Sequence, residues 1–218
     1  MWMAALARNS RCSAEELDAL VAISGEPEYE YQHDVILGVV GNVCTSATTI
    51  QRVLDAPECQ SLWRFVARAP NITPEQIEQL WNAETMHVTV LEILAGNARL
   101  PADIREQART HANAHVRRAY MRNPLFTKED LVAACADENP CIRCAAVYNT
   151  RMTGELLATM ADDCSTMVLL GIVGSAHVRS DTLRYIADRP DVTLEVSSAA
   201  TSRLANLSVL QAHKVVTK

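Results

Sequence analysis

Aromatic residues are scarce in this sequence. They make up 5% of 218 residues, and only two are Phe. Such a chain cannot fill its interior with rings. Its 49% apolar content rests on Ala, Leu and Val, which suit closely packed helices. Gly and Pro together number 15, too few for a collagenous or low-complexity chain. No run approaches the roughly 18 consecutive apolar residues of a membrane span. Seven cysteines, an odd number, lie between Cys12 and Cys164 without the spacing of a disulfide module, which predicts reduced thiols and a cytoplasmic setting. Residues 1–9 are apolar but lack a basic opening, and Arg8, Arg11 and an acidic helix follow, so no secretory leader is expected.

The net charge of −6 averages unlike parts. Residues 1–98 hold 5 basic and 13 acidic residues, residues 99–128 hold 7 and 2, and residues 129–218 hold 8 and 11. A basic island inside an acidic chain attracts an anionic partner locally, while the overall balance opposes bulk nucleic-acid binding.

The chain repeats itself. Leu17, Ile50, Ile77, Ile104, Leu131, Leu157 and Leu183 follow one another at spacings of 26 or 27 residues after a first interval of 33. A second series has the same period: Val35, Leu62, Thr89 (with Val88 beside it), Val116, Ile142, Val168 and Leu194. A third marks joints between repeats: Asn9, Asn42, Ala69, Gly96, Asn123, Asn149, Ser175 and Thr201. Asn, Gly and small polar residues tolerate the left-handed conformation that ends many helices. Four residues after most joints stands Ser or Thr (Ser13, Ser46, Thr73, Thr127, Thr153), the preferred N-caps. Ser13–Glu16 and Thr73–Gln76 fit the capping box, and Pro74 and Pro101 are expected at the first helical position.

Each repeat therefore reads as two helices of about three turns, A then B, too short to be stable alone and buried by stacking on neighbours. The expected fold is all-α: a solenoid of about seven two-helix repeats of 26–27 residues, forming one domain over 1–218. Half-repeat caps are expected at 1–9 and 202–218, flanking repeats over 10–201. The long first repeat carries an acidic insertion at 24–34 that holds Tyr29 and Tyr31. It reads as a solvated loop or as a protruding contact element.

The segment Asn123-Pro124-Leu125-Phe126-Thr127-Lys128-Glu129-Asp130-Leu131, continuing to Asp137-Glu138-Asn139-Pro140-Cys141-Ile142-Arg143, combines Asn-Pro, a capped helix, an acidic turn and an aliphatic-Arg pair, and Val116-Arg117 repeats the last element. This pattern resembles the variant leucine-rich repeat family, a bacterial relative of HEAT-like α-solenoids. The resemblance implies a right-handed superhelix with a binding surface and no reaction. It also implies that helix B lines the concave side.

Arg64, Arg68, Arg117, Arg118, Arg122 and Arg143 fall in helix B, with Arg117 and Arg143, Arg64 and Arg118, and Arg68 and Arg122 at matching repeat positions. Such rows read either as a solvated face or as a basic stripe suited to phosphate or carboxylate. Trp63 occupies the exposed-looking slot of Arg117 and Arg143, where it would serve as an interface anchor or pack on the next helix B. Trp81 falls in a core slot. Cys141-Ile-Arg-Cys144 is a lone CxxC without a second pair, and His111 and His115 flank a turn, so no metal or other cofactor is expected. Gly171-Ile-Val-Gly174-Ser175 falls at a helix end and matches neither a phosphate loop nor a nucleophile elbow.

The expected function is a non-enzymatic scaffold that binds a protein or peptide in its groove through Trp63, Arg64, Arg68, Arg117, Arg118, Arg122 and Arg143. The rival is a nucleic-acid-binding or -modifying HEAT-like protein that uses the same Arg stripe over 64–143. Homo-oligomerisation through Trp2 and Val215-Val216 at the end caps is a third reading. No membrane partner is expected.

Overall fold

A computed structural model describes residues 2–24, 32–84 and 86–216. Most of the acidic insertion, with Tyr29 and Tyr31, lies outside the described residues. Every regular element among those described is helical. The helices group into two compact units, Met1–Leu125 and Phe126–Lys218.

The first unit contains α1 (Trp2–Ala7), α2 (Ala14–Ser24), α3 (Gln32–Val40), α4 (Ala47–Asp55), a 3-10 helix (Pro57–Leu62), α5 (Trp63–Val66), α6 (Pro74–Trp81), α7 (Val88–Ala95), α8 (Ala102–Arg109) and α9 (Ala114–Tyr120). The chain order alternates A and B helices, and α1, α3, α5, α7 and α9 pack on one another in succession. Helices α1 and α3 approach closely enough that a Cβ on Gly38 would lie 2.7 Å from that of Ala7. The second unit contains α10 (Lys128–Cys135), α11 (Pro140–Val147), α12 (Gly154–Thr159), α13 (Thr166–Gly174), α14 (Ser180–Asp188) and α15 (Leu194–Val216). There α11 packs on α13, and α13 and α14 pack on α15.

The first apolar series is the core of the A helices. Leu17, Ile50, Ile77, Ile104, Leu131, Leu157 and Leu183 are each 0% exposed. The second series holds at Val35, Leu62, Val116, Ile142 and Val168, all buried, and slips at two places. Val90, not Thr89 or Val88, is buried in α7, and Val196, not Leu194, in α15. Trp81 is buried as expected, with its indole N–H donating to Gln107 Oε1 at 2.9 Å.

The caps form at the expected residues. Ser46, Thr73, Thr127 and Thr153 each accept a backbone N–H of the first turn. Ser13 and Glu16 bond reciprocally, at 2.8 and 3.2 Å. Gln76 closes its box with Thr73, and its amide also donates to Ala47 O at 2.7 Å, which ties α6 to the start of α4.

The joints differ from expectation. No described residue has positive φ, so the left-handed turn read into the joint residues does not occur. Side-chain amides replace it. Asn9, Asn42, Asn97, Asn123 and Asn149 each accept, through Oδ1, the N–H two residues on, at 2.8–3.0 Å. Buried Asn42 also donates to Ala7 O and Asn9 O, and buried Asn123 to Ala95 O and Asn97 O, at 2.8–2.9 Å. Each amide thus bridges its own joint to the one before. The fourth joint is Asn97 rather than Gly96, so the next cap moves from Leu100 to Pro101, which is the N-cap of α8 and not its first helical residue. At the Ala69 joint, Asn71 takes over the bridge and donates to Val43 O and Thr45 O.

Two further departures have local causes. Pro57 forces Ala56 into an extended conformation, so α4 stops and the next helix B begins as a 3-10 turn. No joint forms at Thr201, because α15 continues unbroken from Leu194 to Val216. The segment lacks Asn, Gly and Pro at that point, and the Thr201 hydroxyl donates back to Ser197 O at 2.8 Å inside the helix. The helix B expected at Leu194 and the expected C-terminal half-repeat are therefore one helix.

Truncating a bridging amide should cost far more than truncating an exposed one. Asn123→Ala orphans one buried and one partly buried carbonyl and should lower unfolding stability by about 2–3 kcal/mol, while Asn9→Ala, which loses one exposed bond, should cost under about 1 kcal/mol. Equal costs in urea melts would contradict the bridging role.

Candidate partner-binding surfaces

The slot shared by Trp63, Arg117 and Arg143 does not face solvent. With Val90 as the buried residue of α7, the same slot holds Leu91, and in α13 it holds buried Leu169. Arg117 is 8% exposed, and its guanidinium turns back to donate to His111 O at 2.7 Å and Ala112 O at 3.2 Å. Arg143 repeats this on Asp137 O at 2.8 Å and Glu138 O at 3.1 Å. Both close the carbonyl ends of the preceding A–B turn, the work a capping lysine or arginine does at a helix C-terminus. Trp63 is half-buried, and its indole N–H is enclosed without a hydrogen-bond partner among the described residues.

Arg143 has a second role. Its Nε and Nη2 grip Asp163 at 2.6 and 2.9 Å, with side chains only 14% and 6% exposed. Burial alone would raise the Asp163 pKa. The Arg143 bonds, the Ser165 N–H and the nearby Arg189 charge outweigh burial and hold it below the ordinary carboxylate range. The composition gave no hint of this pair. The signal was positional: His111, Asp137 and Asp163 recur at spacings of 26, each accepting the N–H two residues on.

The remaining arginines are exposed. Arg64 and Arg118 stand on α5 and α9, while Arg68 and Arg122 lie in the turns that follow those helices rather than in them. None of the four has a carboxylate partner among the described residues. Helix α7 lies between α5 and α9, and it carries Glu92 in the slot of Arg64 and Arg118, and Gly96 in that of Arg68 and Arg122. The basic row of the first unit is therefore interrupted by an acid, and Arg143 belongs to the second unit. Arg64 lies over the Phe65 ring at 4.6 Å and borders a small cleft of about 260 Å³ with Ser61, His87 and Thr89. Trp2 is 71% exposed, whereas the side chains of Val215 and Val216 lie outside the described residues.

Cys141 is exposed at the start of α11 and Cys144 is half-buried one turn on. Burial pushes the Cys135 thiol up to about 11, so it stays protonated near neutral pH. His111 and His115 lie on either side of the turn before α9. His111 Nδ1 accepts the Asn113 N–H at 3.0 Å, and its ring meets Trp81 edge-on at 6.0 Å. Ser175 lies buried at the end of α13, where its hydroxyl oxygen accepts the His177 N–H at 3.3 Å.

No family model, curated protein or solved structure matches this chain.

The Arg143–Asp163 pair predicts a definite pH dependence. A carboxylate whose folded pKa is lowered stabilises the fold above its unfolded value near 3.9, and that stabilisation disappears as pH falls through the folded value. Asp163→Asn should cost about 3 kcal/mol at neutral pH, and the gap to wild type should narrow below about pH 4. A gap that stays constant from neutral to acid pH, read by denaturant melts, would contradict this assignment.

Proposed function

We propose that this chain is a non-enzymatic scaffold that binds a protein or peptide partner. It would be an α-solenoid of about seven two-helix repeats, related in kind to the bacterial variant leucine-rich repeat proteins and working in the cytoplasm. The observation that carries the reading is a division of labour among side chains. The polar residues that recur with the repeat (Asn42, Asn123, Arg117, Arg143, Gln76) are spent on backbone groups of neighbouring turns. The surface carries the rest: Arg64 and Arg118, which share a slot whose occupant varies elsewhere, and the large apolar Tyr148 and Met167, which break the repeat and are 68% and 43% exposed. Exposed aromatic, Met and Arg side chains are those enriched in protein interfaces. The two-helix repeats that the period implies and the packing of successive B helices within each unit favour the solenoid.

The four exposed arginines favour a second reading, nucleic-acid binding. Titrating labelled single- and double-stranded nucleic acid at several salt concentrations separates the two. The scaffold reading expects no saturable binding even at low salt. The rival expects affinity that falls steeply with salt, as phosphate contacts release counterions, and that is lost in a chain carrying Arg64→Glu, Arg118→Glu and Arg122→Glu. Arg117 is left intact because it closes a turn. The scaffold reading further expects cross-linking capture from native cells to recover a protein whose yield changes with these substitutions.

A further inference from the structure

In the second unit, helices α10 and α12 flank a groove of about 540 Å³. Val132, Cys135, Leu156, Thr159 and Met160 line it, together with Asp162 and the Arg143-paired Asp163. Two of these residues break the repeat. The slot of Val132 is held elsewhere by Asp18, Gln51, Glu78, Arg105, Ala158 and Arg184, and that of Leu156 by Glu16, Thr49, Gln76, Asp103, Asp130 and Thr182. Neither apolar residue is demanded by the core, since the marker beside each, Leu131 or Leu157, fills it. Val132 is left 53% exposed.

Asp162 also borders an adjoining cleft of about 480 Å³ that carries Tyr185, Asp188, Arg189 and Asp191. The charges there do not balance. Arg189 is taken by Asp191 at 2.5 and 3.0 Å, and Asp163 by Arg143. Asp162 accepts only the Tyr185 hydroxyl, and Asp188 has no cationic partner among the described residues. These two acids share one repeat slot, and although the Arg189 charge also reaches Asp162, three carboxylates against one guanidinium leave the cleft an acidic excess beside an apolar floor.

We propose that this groove docks a cationic amphipathic segment of a partner protein, with an apolar side chain seated on Val132, Leu156 and Met160 and an Arg or Lys reaching Asp162 and Asp188. The proposal deepens the scaffold reading and rests on it. Apolar anchors at helical spacing with a flanking charge are how helical segments occupy grooves between helices, and the acidic rim selects the sign of that charge.

The test uses the full chain and fluorescent helical peptides of about 15 residues. One carries a Leu/Met face flanked by Arg, and a twin carries Glu in place of Arg. The basic peptide should bind, the acidic twin should bind at least about tenfold more weakly, and the preference should shrink with salt. Val132→Arg with Leu156→Asp should weaken the basic peptide at least about tenfold, and so should Asp162→Asn with Asp188→Asn. The first pair installs residues that this chain already carries at those slots, so the fold is retained, which matched thermal melts check. No binding of the basic peptide, equal binding of both peptides, or wild-type affinity in both variants overturns the proposal. A captured partner that binds the groove variants as tightly as wild type also overturns it while leaving the scaffold reading standing.

Discussion

Short helices are mostly ends. An α-helix leaves four N–H groups and four C=O groups without internal partners, so helices such as α1 and α12, of six residues, have almost no interior. A chain built from such pieces must satisfy its turns from outside each helix, and here a side-chain amide does so. Asn42 and Asn123 each hold three backbone groups, an N–H of their own turn and two carbonyls of the turn before. The bond fixes both the shape of a joint and its distance from its predecessor. Stacking of the B helices in the first unit then follows, because successive joints are held in register before any apolar contact is counted.

The A–B turns face the same difficulty, and two of them meet it with charge. Arg117 and Arg143 fold back onto the carbonyls six and five residues earlier, at the end of the A–B turn. A guanidinium suits this place because it spreads several donors in a plane and stays charged when half-buried. In α13 the slot holds Leu169, buried at 3%. Arginine and leucine both fit there because the slot is apolar along the stem and polar only where the turn carbonyls lie. An arginine on a helix B therefore says little about ligands until its slot is known.

That difference decides what the sequence could reveal. The period was legible because burial of one aliphatic residue per A helix is absolute, and all seven of those markers have no exposed surface. The caps were legible because a Ser or Thr hydroxyl four residues after a joint has only one local use. Register was legible to within one or two residues. Gly96 and Asn97 compete for one joint, and only the hydrogen bonds decide for Asn97. Thr89 and Leu194 took places that belong to Val90 and Val196 for the same reason, since a single apolar residue per helix gives no second constraint. The candidate site suffered most. Arg117 and Arg143 looked equivalent to solvent-facing residues because spacing shows which positions match and not which way the shared slot points. The recurrence of His111, Asp137 and Asp163 marks Asp163 as a turn residue, but its pairing with Arg143 does not follow from the period, because the two lie in different repeats at a separation of 20.

In a repeated chain, matching positions report what the architecture needs, and a ligand is under no obligation to respect the period. Binding chemistry is thus better sought where a slot changes character without the core requiring it. Arg64 and Arg118 qualify only weakly, since Glu92 stands in the same slot on the helix between them and offsets their charge. Val132 and Leu156 qualify more fully. Each is apolar where the other slots, one alanine apart, are polar, and the two line one groove from adjacent A helices. Exposing such side chains forgoes roughly 25 cal/mol for each Å² of apolar surface left in water. A buried position would recover that free energy within the fold, whereas at this surface only an occupant of the groove can recover it.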